Sequence, residues 1–277
     1  MSLFNKSKRT CIFCDSKNLT LEHIYPKWLF QILKLENRTF NPGNWDMSIL
    51  TSHSTDTLIK NQQYGDGREV RYDEFKTRRV CGTCNNGWLS DLETKVKPII
   101  ENLYKISKYN LNPEEAYDLS LWAVVKIIII GYAVEANYTA DYLIRETVRA
   151  GIIPEGFIVE YRKLESDFLN YYVGNITPVE ANKVDHEQMM LAWENFFTSA
   201  LQIRTIGLRI THLRTSIPVQ RTQINEELML LYPYKGRLPF LRVDFPEEFL
   251  QEQNKRDLKD TEISGLCNSI TICDKLY

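Results

Sequence analysis

Cys11-Ile12-Phe13-Cys14 and Cys81-Gly82-Thr83-Cys84-Asn85 bracket Leu19-Thr20-Leu21-Glu22-His23-Ile24-Tyr25-Pro26, and these stretches decide how the N-terminal part of this 277-residue chain folds. Two C-x-x-C pairs set four thiolates at the spacing of zinc knuckles. A closed set of four cysteines is the structural kind of zinc site, because no ligand position is left for water. Four cysteines buried merely as small hydrophobes would leave their recurrence at ligand spacing without a cause. Zinc would also supply much of the folding free energy of so small a module. Between the pairs, Leu19 and Leu21 alternate with Thr20 and Glu22, which predicts a strand ending near His23. Pro26 then opens Lys27-Trp28-Leu29-Phe30-Gln31-Ile32-Leu33 as a short amphipathic helix.

Outward from this core, a polar stretch at about 36–66 carries the turn signals Asn41-Pro42-Gly43-Asn44 and Gly65-Asp66-Gly67. It is too long for a simple connector and reads as a functional or loosely ordered insertion. Residues 68–80 return to a strand-like pattern that delivers the chain to Cys81. After Cys84, Asn85-Asn86-Gly87-Trp88-Leu89-Ser90-Asp91-Leu92-Glu93 starts a helix that continues to about Tyr104. Asn112-Pro113-Glu114-Glu115 caps a long apolar helix running to about residue 136, and a short helix at about 139–150 stops at Gly151. Beyond Gly156 the pattern is β-rich, with strands expected at 157–161, 169–173, 192–198, 205–213 and 228–232. Helices followed by strands without regular alternation give an α+β fold. The division expected is a small zinc-stapled module over 1–110, followed by a larger helix-plus-antiparallel-sheet domain over 111–277 for specificity, assembly or regulation.

Composition bounds the function. The chain is 43% hydrophobic and can bury a full core. Residues 1–10 are polar and basic with no apolar core behind them, so no signal peptide is expected. The longest apolar run, 119–134, is interrupted by Ser120, Lys126 and Gly131 and falls short of the roughly 20 residues that span a bilayer. A buried helix in a soluble, cytoplasmic protein is expected, with no membrane partner. Six cysteines without a secretory signal do not make a disulfide framework, and Cys267 and Cys273 read as ordinary reduced thiols. The net charge of −2 hides an uneven distribution: residues 1–100 carry +4 and the remainder −6. The cysteine half is the one suited to a polyanion, through local placement rather than bulk charge.

His23 is the chemical centre of the sequence. A lone histidine is ordinarily one that bonds a nearby carbonyl, but here Glu22 precedes it and Asn85 is fixed beside the second knuckle. That brings together a base of near-neutral pKa and two hard oxygen ligands suited to Mg²⁺ or Mn²⁺. Such a set can hydrolyse a phosphodiester: the histidine activates water while the metal neutralises the phosphate and the departing 3′ oxygen.

The order Cys11, Cys14, Glu22, His23, Ile24, Pro26, Cys81, Cys84, Asn85 resembles the HNH (ββα-metal) endonucleases, in particular their zinc-containing branch of the endonuclease VII type. The resemblance covers about residues 8–97. It implies that His23 is the general base, that Glu22 and Asn85 hold the catalytic divalent metal, and that the four cysteines bind structural zinc. It also implies a nucleic-acid substrate, DNA in preference to RNA. Glu22 stands where aspartate is more usual, and the interval from His23 to Cys81 is longer than in the compact motif. A middle asparagine that orients the histidine through its backbone has no counterpart among Phe75-Lys76-Thr77-Arg78-Arg79, so another group or the backbone alone has that task. The Asn85-Asn86-Gly87-Trp88 extension looks like a subgroup of bacterial HNH proteins, some associated with defence against phage. A homo-oligomer or a defence-complex partner is compatible with this.

Other residues weigh less. His53 reads as a solvated loop histidine, and His186 and His212 have no assigned role. Lys27, Lys76, Arg78 and Arg79 could meet phosphates or simply be exposed charges. Trp28 and Trp88 could stack on bases, but their helical spacing with Leu29, Leu89 and Leu92 favours packing. The main alternative to an enzyme is a zinc-scaffolded module that binds nucleic acid or protein without catalysis. A purely structural subunit of a larger complex is a third reading.

Overall fold

The computed structural model describes residues 10–34, 39–40, 70–71, 74–106, 108–133, 140–174, 196–213 and 229–232. His53, His186, Cys267, Cys273 and most of the 36–66 insertion lie outside them. β1 (Leu19–His23) pairs antiparallel with β4 (Lys76–Cys81), placing Leu19 opposite Cys81 and His23 opposite Lys76. A bulge between Thr20 and Glu22 breaks the simple alternation read from the sequence. It leaves Leu21 50% exposed and turns the Glu22 carboxylate inward. α1 (Lys27–Leu33) follows Pro26, buries Leu29, Phe30 and Leu33, and ends at Lys34 in the left-handed region. The short strands β2 (Thr39–Phe40) and β3 (Val70–Arg71) pair with each other, joining the two ends of the insertion.

Past Cys81 the chain makes one short turn of helix, α2 (Gly82–Cys84), then a π-type segment, Asn85–Leu89. Gly87 leaves helical geometry there (φ −99°, ψ −119°), so α3 (Ser90–Lys105) starts after a kink. Leu92, Val96, Ile99, Ile100 and Leu103 recur at helical spacing and form its buried stripe. α4 (Pro113–Ala133) opens with a reciprocal cap: Asn112 Oδ1 accepts from the Glu115 N–H at 2.9 Å, and Glu115 Oε2 accepts from the Asn112 N–H at 3.0 Å. α5 (Tyr142–Arg149) is capped by the Asp141 carboxylate and followed by Gly151 at φ 79°.

The C-terminal sheet has the antiparallel order β6-β5-β7, built from β5 (Phe157–Gly174), β6 (Phe196–Leu213) and β7 (Met229–Tyr232). Four short strands expected from the sequence are here merged into two long ones. The interruptions in their alternation are local irregularities inside continuous pairing: a register shift between Lys163 and Phe168, and Arg204 at φ 58°. Glu160 and Arg209 face each other across β5 and β6, both buried, with Arg209 Nε donating to Glu160 at 2.6 Å. The architecture is thus α+β with an antiparallel sheet.

α4 is the central element. It packs on α3, β4 and all three strands of the sheet. Every residue from 119 to 131 is buried, Lys126 included. Its length and apolarity would suffice to cross a membrane, but 78% of its most apolar window is buried inside the protein, as in a core helix. One continuous set of buried residues runs from Cys11 to Leu231, so the cysteine region and the sheet region meet through α3 and α4.

Candidate metal centre and hydrolytic site

The four cysteines converge. The sulfurs of Cys11, Cys14, Cys81 and Cys84 all lie within 4.8 Å of one another. Cys14 Sγ is 3.4 Å from Cys81 Sγ and 3.6 Å from Cys84 Sγ. These separations are far beyond a disulfide bond of about 2.05 Å. They are close to the ~3.8 Å edge of a tetrahedron with Zn–S bonds of about 2.3 Å. The donor set therefore fits a metal ion such as zinc.

Backbone bonds explain why the sulfurs meet. The first knuckle closes through Asp15 N–H to the Cys11 carbonyl at 3.0 Å and Cys11 N–H to the Ser16 carbonyl at 2.8 Å. Asp15 takes the left-handed conformation (φ 57°), which a short polar side chain tolerates well. Ile12 N–H then bonds the Arg79 carbonyl at 2.9 Å, and Gly82 N–H the Asn18 carbonyl at 3.3 Å, lashing the knuckle to β4. The second knuckle starts on the last residue of β4 and turns through Cys84 N–H toward Cys81 Sγ at 3.4 Å. Burial raises the Cys11 and Cys84 thiols above their ordinary values. At Cys81 burial acts the same way, but the Cys84 N–H and the neighbouring sulfurs outweigh it and lower the pKa to about 7. The Phe13 ring, inside the first knuckle, meets Trp88 edge-on at 5.0 Å.

His23 ends β1 four residues from Leu19, so it lies about 13 Å along the strand from the residue paired with Cys81. Its side chain is half-buried, and Ile24 N–H bonds the Phe75 carbonyl at 3.0 Å just beyond it. Asn85 is half-buried at the start of the π-type segment, directly after the second knuckle. Glu22 is 6% exposed, and its Oε1 accepts from Lys126 Nζ at 3.0 Å. The post-knuckle residue that meets this group is Glu93, eight residues beyond Asn85, whose Oε1 lies 2.8 Å from the same ammonium. Lys126 Nζ also reaches the His23 carbonyl at 3.4 Å, and Trp28 Nε1 donates to Glu93 Oε2 at 3.2 Å.

The electrostatics follow from burial. Desolvation pushes the Glu22 carboxyl above its usual range; Lys126 opposes that shift and Glu93 adds to it. Desolvation works against the Lys126 ammonium, but the Glu93 and Glu22 carboxylates together hold its pKa above the ordinary lysine value. This is a carboxylate–ammonium–carboxylate triad in which Lys126 and Glu22 are buried and Glu93 is half-buried.

No protein family, curated protein or solved structure matches this chain.

Lys126 and Glu93 carry no site role in the sequence reading. The available signal is a single charge inside the apolar run 119–134, where an unpaired lysine would be costly and so implies acidic partners. Trp28 and Trp88 pack rather than lie open: Trp28 sits 6.4 Å from Trp122, ring centre to ring centre. Lys27, Lys76 and Arg78 are exposed, and Arg79 is half-buried with its backbone engaged by the first knuckle. His212 is buried and stacks on Phe157 at 4.2 Å, away from the cysteines in the sheet.

Proposed function

We propose that this protein is a zinc-stabilised, metal-dependent endonuclease of the HNH type that hydrolyses phosphodiester bonds, with DNA as its substrate and phage defence as its setting. The observation that carries this reading is the four-sulfur cluster closed between the turn that precedes β1, the end of β4 and α2. It supports the correspondence of Glu22, His23 and Asn85 with the motif's base and ligands. His23 would take the proton from the attacking water, and the water oxygen would bond to phosphorus as the bond to the 3′ oxygen breaks. Glu22 and Asn85 would hold the divalent ion: a carboxylate has lone pairs beyond the one Lys126 engages, and the carboxamide oxygen is a hard donor. Mg²⁺ or Mn²⁺ bound there would supply charge neutralisation at the phosphate and at the leaving oxygen.

The Lys126–Glu22 ion pair favours a second reading, a zinc-scaffolded nucleic-acid-binding or protein-binding module without catalysis. Supercoiled plasmid incubated with zinc-loaded protein and Mg²⁺ or Mn²⁺ separates the two. The nuclease reading expects nicked or linear product that is lost with a chelator and in His23→Ala. Plasmid left intact in every metal tested would leave the binding module standing and remove the enzyme.

A further inference from the structure

We propose that Lys126 is a positioning residue for the Glu22-His23 pair, so that the catalytic strand is completed by a helix from outside the cysteine module. This rests on the nuclease reading and deepens it. Three contacts converge on one ammonium: the Glu22 carboxylate at 3.0 Å, the Glu93 carboxylate at 2.8 Å and the His23 carbonyl at 3.4 Å. They lock both sides of the Glu22–His23 peptide, one through a side chain and one through the backbone. The site of the ammonium leaves it little freedom, since Lys126 is 1% exposed and lies midway along a helix buried on every side. Glu93 is in turn fixed by the Trp28 indole, so the triad ties β1, α1, α3 and α4 together.

A bulged two-strand ribbon does not by itself hold a side chain to the fraction of an ångström that proton transfer needs. The bulge between Thr20 and Glu22 is where β1 is free to bend, and Lys126 grips the residues directly after it. α4 also packs on β5, β6 and β7. Through Lys126, the sheet half of the chain becomes part of the hydrolytic site although it supplies no reacting group.

The test uses the full-length, zinc-loaded protein. Lys126→Met leaves the buried Glu22 facing the half-buried Glu93 with no cation between them and could fail to fold, so it is paired with Lys126→Met/Glu93→Gln, which removes one of the two carboxylates together with the cation and leaves Trp28 an acceptor. Cleavage of a labelled DNA duplex is followed in Mn²⁺, with zinc content and thermal unfolding recorded for each protein. The double variant is expected to stay folded, keep its zinc and its KM for DNA, and lose kcat by about 10–100-fold, the usual effect of removing a group that orients a catalytic or ligating residue. A kcat within about twofold of wild type would overturn the proposal and assign Lys126 to folding alone. A fall confined to KM would likewise overturn it. If the wild-type protein does not cleave while retaining zinc, the nuclease reading has failed and Lys126 falls with it. Cleavage by wild type combined with an unimpaired double variant removes only the positioning role.

Discussion

Removing the Lys126 ammonium should be strongly destabilising, because it strands a buried carboxylate. Lys126→Met keeps an unbranched apolar stem one atom shorter but deletes the cation between Glu22 and Glu93, the first of them 6% exposed. Water cannot easily replace it, so the Glu22 charge loses its partner inside the core and repels Glu93. Breaking a buried ion pair by removing one partner costs about 3–5 kcal/mol, a large share of a total stability of roughly 5–15 kcal/mol. At about 2–4 °C per kcal/mol for a chain approaching this size, the melting temperature should fall by roughly 6–20 °C. The assay is thermal unfolding of the zinc-loaded protein at pH 7, followed by circular dichroism. Lys126→Met with Glu22→Gln and Glu93→Gln should recover most of the loss, because neutralising all partners leaves no charge stranded. A Lys126→Met protein that melts within about 1 kcal/mol of wild type, equivalent to a few degrees, would show that the Lys126–Glu22 pair is not buried as described.

Stripping zinc with a strong chelator should unfold the β1–β4 ribbon and the turn into α3, which near-ultraviolet circular dichroism would detect through Trp28 and Trp88; an unchanged spectrum would argue against a structural metal. Because thiolates, not thiols, bind the ion, zinc retention should fall as the solution is acidified, and dialysis at a series of pH values followed by metal analysis checks this. Glu22→Ala and Asn85→Ala should each lower cleavage in a way that added Mn²⁺ partly restores, as loss of a ligand rather than of the base, whereas His23→Ala should not respond to Mn²⁺. Asn112→Ala removes one half of the α4 cap and should cost about 1 kcal/mol in chemical denaturation without altering zinc content.

Much of the local structure was legible in the sequence, because the signals that set it are local. The strand ending at His23, the helix opened by Pro26, the Asn112 cap and the Gly151 stop each depend on a few neighbouring residues, and each lies where its signal put it. The cysteine cluster was legible for a related reason, since two knuckles 67 residues apart carry their meeting point in their ligand spacing. The bulge in β1 was not. It depends on how β4 pairs with β1, and it reversed the expected sides of Leu21 and Glu22. The long strands β5 and β6 looked broken because a register shift and the left-handed Arg204 interrupt their alternation, while cross-strand bonds carry pairing past both. Lys126 was visible as an anomaly in an apolar helix, but its partners Glu22 and Glu93 lie 104 and 33 residues away in sequence and come together only in the packed core.

The most direct measurement of the central claim is the single-turnover rate of DNA cleavage by wild type and His23→Ala at matched zinc content. A positioned general base contributes about 10²–10⁴-fold, so the variant should be slower by that factor while its zinc content and melting temperature stay at wild-type values. Equal rates for the two proteins would contradict the assignment of His23 as the base, and with it the hydrolytic site.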